Sequence, residues 1–341
     1  MVNDREVEAI RDGTENRLLW VDFLRNIGIM FVVWGHFLPQ SLIRTLIYSF
    51  HVPLFFILSG FLVERISKGR RKLKFVGLLL PYAIWTVISL VLLGLLGRMA
   101  TNNKLSMEYI VYSFIPIRGF VCWNAPLWFL YVLFIVRILT PSLDEWRKLF
   151  CGKIVWPCIV IVLMLGTCRA LDSCKGINIL AYRQIGLGCF FYTVGMCVSR
   201  WRVDEWFFRE RFKLFVVFMM GVACAFLNGS LSIWAWSISR LDLLVGSSFG
   251  ICMFLFVVCR RFCKMPLARV FNVRHGGVVF ILCSHCFLVS LWRRICPHEL
   301  QESIVVATCI TFFVLCLYLL SYKVIEKLRA IFMNVRVFAA V

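Results

Sequence analysis

Residues 25–36 read "RNIGIMFVVWGH": an arginine and a histidine bracket a run that is almost wholly apolar. The run extends to both sides, over residues 18–38, about the 20 residues a helix needs to cross a bilayer core. Ionisable groups in such a segment cost on the order of 3 kcal/mol each on insertion scales, so their presence needs a reason. Helical geometry offers one. Eleven steps of about 100° bring His36 back to nearly the face of Arg25, about 16 Å farther along the axis. Asp22 lies three residues before Arg25 and can pair with it on that face. The three groups form one stripe, which the bundle interior can accept and which one elongated ligand could touch at both ends. The plainer alternative is an interfacial Asp22–Arg25 ion pair with His36 as a satisfied core histidine.

The rest of the chain repeats the pattern of that first segment. Of its 341 residues 61% are hydrophobic and only 16% are charged, and the mean hydropathy is +0.84. A soluble domain is usually nearer half apolar. The apolar residues come in ten blocks, over 18–38, 46–63, 75–97, 126–141, 154–171, 182–199, 214–230, 241–259, 277–296 and 303–322. Lipid cannot satisfy a bare backbone, so each is expected to be a helix. The expected fold is an all-α polytopic membrane protein of about ten transmembrane helices, with one transmembrane domain over 18–322 and short tails at 1–17 and 323–341. The first 17 residues are polar and show no cleavable signal peptide, so the first block is expected to stay as a spanning helix. The 16 cysteines lie mostly inside apolar blocks without zinc-ligand spacing and read as small core-filling residues; no metal is expected.

A net charge of +20 in a soluble protein would suggest nucleic acid. Here no nucleic-acid partner is expected, because Lys and Arg collect in the cytoplasmic loops of membrane proteins. With the N-terminus inside, the inner segments hold 26 of them and the outer ones 10. That asymmetry predicts both termini cytoplasmic. The segment "SRWRVDEWFFRERFK" (199–213) mixes aromatics with arginines and reads as amphipathic, lying at the inner interface. The long outer loop 98–125 is a candidate cap over a cavity.

Further pieces occur in order: "FHVPLFFILSGF" (50–61), "ERISKGRRKLK" (64–74), "PLWFLYVLF" (126–134), "CFFYTVGM" (189–196) and "GGVVFILCSHCFLV" (276–289). Together with the Arg25–His36 element, this ordered set resembles the acyltransferase-3 family of integral membrane acyltransferases, in its short, membrane-only branch. The likeness runs from about residue 18 to 322. It implies transfer of an acyl group, often acetyl, from cytoplasmic acyl-CoA to a hydroxyl of a cell-envelope glycan or lipid-linked sugar, in a bacterial inner membrane. It also implies that His36 is catalytic and that Arg25, Arg70 and Arg71 serve the acyl donor.

The residue chemistry agrees with those roles. Arginine binds phosphate through a rigid bidentate fork, and Arg25, Arg70 and Arg71 fall on the expected cytoplasmic side. Histidine titrates near neutrality and suits a general base; a transient acyl-histidine is the alternative. Asp242 and His51 fall at the expected depth of His36 and are candidates to orient it. Asp242 could equally pair with Arg240, and His51 could bond a backbone carbonyl. His285, in mid-span, could contact the acceptor or packing neighbours. Ser59 and Gly60 read as a small-residue helix contact rather than a nucleophile. A transporter or flippase of a lipid-linked saccharide is the competing class, with the buried charges as its path. The sequence shows neither inverted repeats nor interrupted helices. A polysaccharide polymerase would call for a larger, arginine-rich outer loop.

Overall fold

The computed structural model of the protein describes residues 19–64, 77–92, 111, 113–114, 124–150, 166, 179–265 and 275–338. The longer helical elements among them are α1 (Leu19–Phe37), α2 (Leu42–Tyr48), α3 (His51–Val63), α4 (Gly77–Leu92), α5 (Leu127–Phe150), α6 (Tyr182–Arg200), α7 (Val203–Arg209), α8 (Arg211–Asn228), α9 (Leu241–Phe262), α10 (His275–Ile295), α11 (His298–Gln301) and α12 (Ile304–Phe338). The one β-type pairing among the described residues is an isolated antiparallel bridge, Ser232 to Ser237. Among the described residues, five helices are long and apolar enough to cross a membrane: Leu42–Val63, Arg211–Asn228, Leu241–Phe262, Gly277–Ile295 and Ile304–Val324. Gly77–Leu92 and Leu127–Thr140 are shorter apolar helices. Helices α1 and α6, of 19 residues each, mix in more polar groups. The expected span 154–171 lies outside the described residues, apart from Gly166.

Helix α1 is the hub. It packs against α2, α3, α9, α10 and α12. Trp20 at its start meets Phe61 near the end of α3 and Phe256 in the second half of α9, at 5.4 and 5.6 Å between ring centroids. Its start is therefore level with the ends of α3 and α9. The same end carries ion pairs: Arg200 grips Glu64 through two bonds of 2.6 and 2.8 Å, and Arg260 reaches Asp204 at 3.1 Å. Asp204 and Phe207 anchor the buried side of α7, while Trp206 and Phe208 point outward. The 199–213 segment thus joins α6 to α8 through the short docked helix α7, whose Trp206 and Phe208 face outward.

Without a hydrophobic force between helices in lipid, close contact depends on small residues. Helices α3 and α6 use a reciprocal pair. A Cβ on Gly60 would run into the Tyr192 carbonyl, and a Cβ on Gly195 into that of Ile57. Helices α8 and α9 repeat the device with Gly221 and Gly250: a Cβ on either would stand 3.1 Å from the other's Cα.

The second apolar segment is interrupted, contrary to the uniform helix expected over 46–63. Phe50 adopts φ −136°, ψ −23° between α2 and α3. The cause is local. Pro53 has no N–H with which to bond the Ser49 carbonyl four residues back, and its ring crowds that carbonyl. The freed oxygen accepts a bond from Ser248 Oγ of α9 at 2.7 Å instead. On the α2 side of this break, Tyr48 lies beside the end of α1, with Arg44 over its ring.

Candidate active site

His36 lies in the last turn of α1, and the glycine before it sets its surroundings. At Gly35 a Cβ would stand 3.0 Å from Ile47 and 3.1 Å from the Tyr48 ring, so glycine lets α2 close onto α1 here. The Tyr48 ring then lies 6.0 Å from the His36 ring, and the His51 ring 5.0 Å from that of Tyr48. From the other side α10 brings the His285 ring to 5.0 Å from His36. The resemblance marked His36, and expected depth and mid-span position marked His51 and His285; the three come from three separate spans, and the fold brings them close together.

Their hydrogen bonds fix what two of them present. His51 Nδ1 lies 2.8 Å from the Ile47 carbonyl oxygen and His285 Nδ1 3.0 Å from that of Ile281. A carbonyl only accepts, so each Nδ1 carries a proton and each neutral ring offers an Nε2 lone pair. Cys286 Sγ sits 3.8 Å from His285 Nε2. One ligand atom each from His36, His285 and Cys286 lie within 4.8 Å of one another, a donor set of the kind zinc accepts.

His36, His51 and Cys286 line a cavity of about 480 Å³. Its walls come from α2, α10, the start of α5 and the connection between α8 and α9, including Ser230, Ser232 and Trp234. That connection is ordered. The Gln184 amide donates to the carbonyls of Ile233 and Trp234 at 3.1 and 3.0 Å, and Asn228 Oδ1 accepts from the Arg240 N–H at 2.9 Å. Ala125, the end of the 98–125 loop, also reaches the cavity, as does Pro126 after it; most of that loop lies outside the described residues.

Eleven residues earlier on α1, Arg25 bonds Asp22 at 2.8 Å and lines a second, smaller cavity of about 50 Å³. Arg137 of α5 joins it there and donates to Ser59 Oγ at 3.0 Å. Phe55, Phe129 and Leu282 border both cavities. The stripe from Arg25 to His36 therefore runs beside two hollows that share one apolar wall. His36 faces protein and cavity rather than lipid.

The other expected site residues fall elsewhere. Asp242 is exposed and pairs with Arg240 through bonds of 2.5 and 3.2 Å; it does not line the His36 cavity. Of the two roles weighed for it, the structure provides the ion pair. His285 is fully buried behind His36 rather than in the cavity wall. Arg70 and Arg71 lie outside the described residues. His298 is exposed, 3.9 Å from Glu302. Sequence reasoning gave no role to Arg137, Arg44, Arg293 or the 230–237 connection. A mid-span arginine was a signal for the first, and the Ser/Trp-rich "NGSLSIWAWSIS" a faint one for the last.

A helical membrane protein with a histidine-lined cavity and two half-buried arginines at a second hollow along the same helix is the class these features define. The chain belongs to the acyltransferase-3 family: residues 18–323 match it, under the description "Acyltransferase domain". It is thus a membrane acyltransferase, with an acyl donor and an acceptor as substrates. No curated protein and no solved structure matches the chain.

Proposed function

We propose that the protein is an O-acyltransferase that moves an acyl group, acetyl in the simplest case, from acyl-CoA to a hydroxyl of a cell-envelope glycan or lipid-linked sugar. The observation that carries this is the pair of cavities along α1, one with two arginines, the other with His36, divided by Phe55, Phe129 and Leu282. The donor enters from the arginine end, where Arg25, Arg137 and the basic stretch with Arg70 and Arg71 suit the phosphates of CoA. The thin pantetheine arm extends along the stripe toward His36. The acceptor occupies the larger cavity, whose mix of aromatic and polar walls fits a sugar.

In the proposed step the neutral His36 imidazole takes the proton of the acceptor hydroxyl as its oxygen attacks the thioester carbonyl. The tetrahedral intermediate expels CoA as thiolate, which recovers the proton from the imidazolium and leaves as the thiol. An ester forms and a thioester breaks. His285 and His51 are positioning residues, each held by its own backbone bond.

The same proposal sets the topology. The transmembrane domain spans 18–322 as ten helices with both tails cytoplasmic, in a bacterial inner membrane. Basic residues cluster at the Arg25 end of α1, which supports that end as the inner one. The test is thioester consumption. Purified protein given acetyl-CoA and envelope glycans should release CoA, and His36→Ala should reduce release at least a hundredfold. Unchanged release by that variant removes His36 as the base; no acetyl-CoA binding at all removes acetyl-CoA as the donor.

A further inference from the structure

Five described arginines have carboxylate partners: Arg25 with Asp22, Arg200 with Glu64, Arg202 with Glu205, Arg240 with Asp242 and Arg260 with Asp204. Arg44 and Arg293 differ. Both line the His36 cavity, from α2 and from the last turn of α10. Arg44 lies over the Tyr48 ring, 5.0 Å from its centroid, with Nη2 3.5 Å from the phenol oxygen. Arg293 Nη2 points at the His36 carbonyl oxygen at 3.4 Å. Among the described residues neither has an Asp or Glu partner, and no described acidic side chain lines this cavity. Two guanidinium groups from separate segments thus face one hollow with their charge uncompensated.

We propose that the acceptor carries an anionic group, a phosphate or a carboxylate, which Arg44 and Arg293 hold while His36 serves the neighbouring hydroxyl. This rests on the acyltransferase reading above. Two like charges at one cavity repel, and an anion between them turns that repulsion into two charge-assisted bonds. The same field opposes the other occupant the chemistry suggests: a metal ion on His36, His285 and Cys286 would add positive charge beside both guanidiniums. The remaining walls suit the sugar portion. Gln40, Ser230 and Ser232 offer neutral polar groups, and Trp128 and Trp234 offer aromatic faces. A neutral glycan would use these but leave the arginines unanswered.

The experiment is binding to the full-length protein in phosphatidylcholine nanodiscs, with glucose, glucose 1-phosphate and glucuronic acid as probes. The charged sugars should bind at least tenfold tighter than glucose, and the preference should shrink with added salt. Arg44→Gln and Arg293→Gln should each cut glucose 1-phosphate affinity about tenfold and leave acetyl-CoA affinity unchanged; the Lys variants should keep part of the preference and control for folding. A second arm dopes the discs with phosphatidic acid. Arginine-dependent loss of glucose 1-phosphate binding there assigns the anion to a lipid-borne phosphate, and its persistence assigns it to a soluble glycan. Equal affinity for the three sugars overturns the proposal. So do arginine variants that weaken acetyl-CoA instead, because the anion would then belong to the donor. Arginine-dependent sugar-phosphate binding without any acetyl-CoA binding would sink the proposed acetyl-CoA donor and leave this site standing.

Discussion

Arg25 has two jobs in the proposed scheme, and two substitutions separate them. Its Nη1 bonds Asp22 at 2.8 Å, with the arginine side chain 22% exposed and the aspartate 7% exposed. Removing the cation with Arg25→Ala takes this partner from a nearly buried carboxylate. Breaking a buried pair from one side costs about 3–5 kcal/mol; the partial exposure of Arg25 brings the expected loss to about 2 kcal/mol. Arg25→Lys keeps a cation three residues from Asp22, so stability should fall by less than about 1 kcal/mol. What lysine lacks is the fork that grips a phosphate at two points. Donor affinity in Arg25→Lys should therefore drop about tenfold, equivalent to about 1.4 kcal/mol, with acceptor affinity within about twofold of the parent. Thermal unfolding in detergent reads the first quantity. Titration with acetyl-CoA and with acceptor reads the others. A lysine variant as unstable as the alanine variant, or one that loses both ligands equally, would mean that Arg25 only staples the start of α1.

Four other outcomes follow from single contacts. Gly60→Ala and Gly195→Ala drive a methyl into a partner backbone that cannot rotate away, and each should cost about 3 kcal/mol, seen as a lower unfolding temperature in detergent. Ser248→Ala leaves the Ser49 carbonyl, already deprived of a donor by Pro53, without the 2.7 Å bond, and should destabilise by about 1–2 kcal/mol while Ser247→Ala, whose hydroxyl serves its own helix at Leu244, changes little. Gln184→Leu removes both bonds that hold Ile233 and Trp234; acceptor KM should rise about fivefold, on the order of 1 kcal/mol, with donor KM unchanged in steady-state assays. Phe129→Ala opens the wall between the cavities and should raise acceptor-independent hydrolysis of acetyl-CoA, followed as free thiol.

What the sequence made legible was local. The Asp22–Arg25 pair and the return of His36 to the same face depend only on helical pitch within one segment, and both appear in the structure. Gly60 read as a packing glycine for the same reason: its size limits what it can do. Convergence across segments was harder. His51 and His285 reach His36 because α1 is the hub of five other helices, a fact no spacing encodes. Arg44 and Arg293 stand 249 positions apart in number, and nothing in either neighbourhood marks them as a pair. Asp242 was considered for His36 because expected depth in the membrane was the only available measure of distance; two residues away, Arg240 outcompetes any partner that must cross the bundle. The interruption at Phe50 did have a signal, Pro53 four residues after Ser49, but a proline in a span predicts a defect without saying who repairs it. Ser248 repairs this one, and the kink it permits carries Tyr48 and Arg44 to the cavity mouth. The site thus owes its histidine to the period of one helix and its cationic rim to a break in another, so substitutions at Pro53 or Ser248 should disturb acceptor recognition before they disturb the Arg25 end.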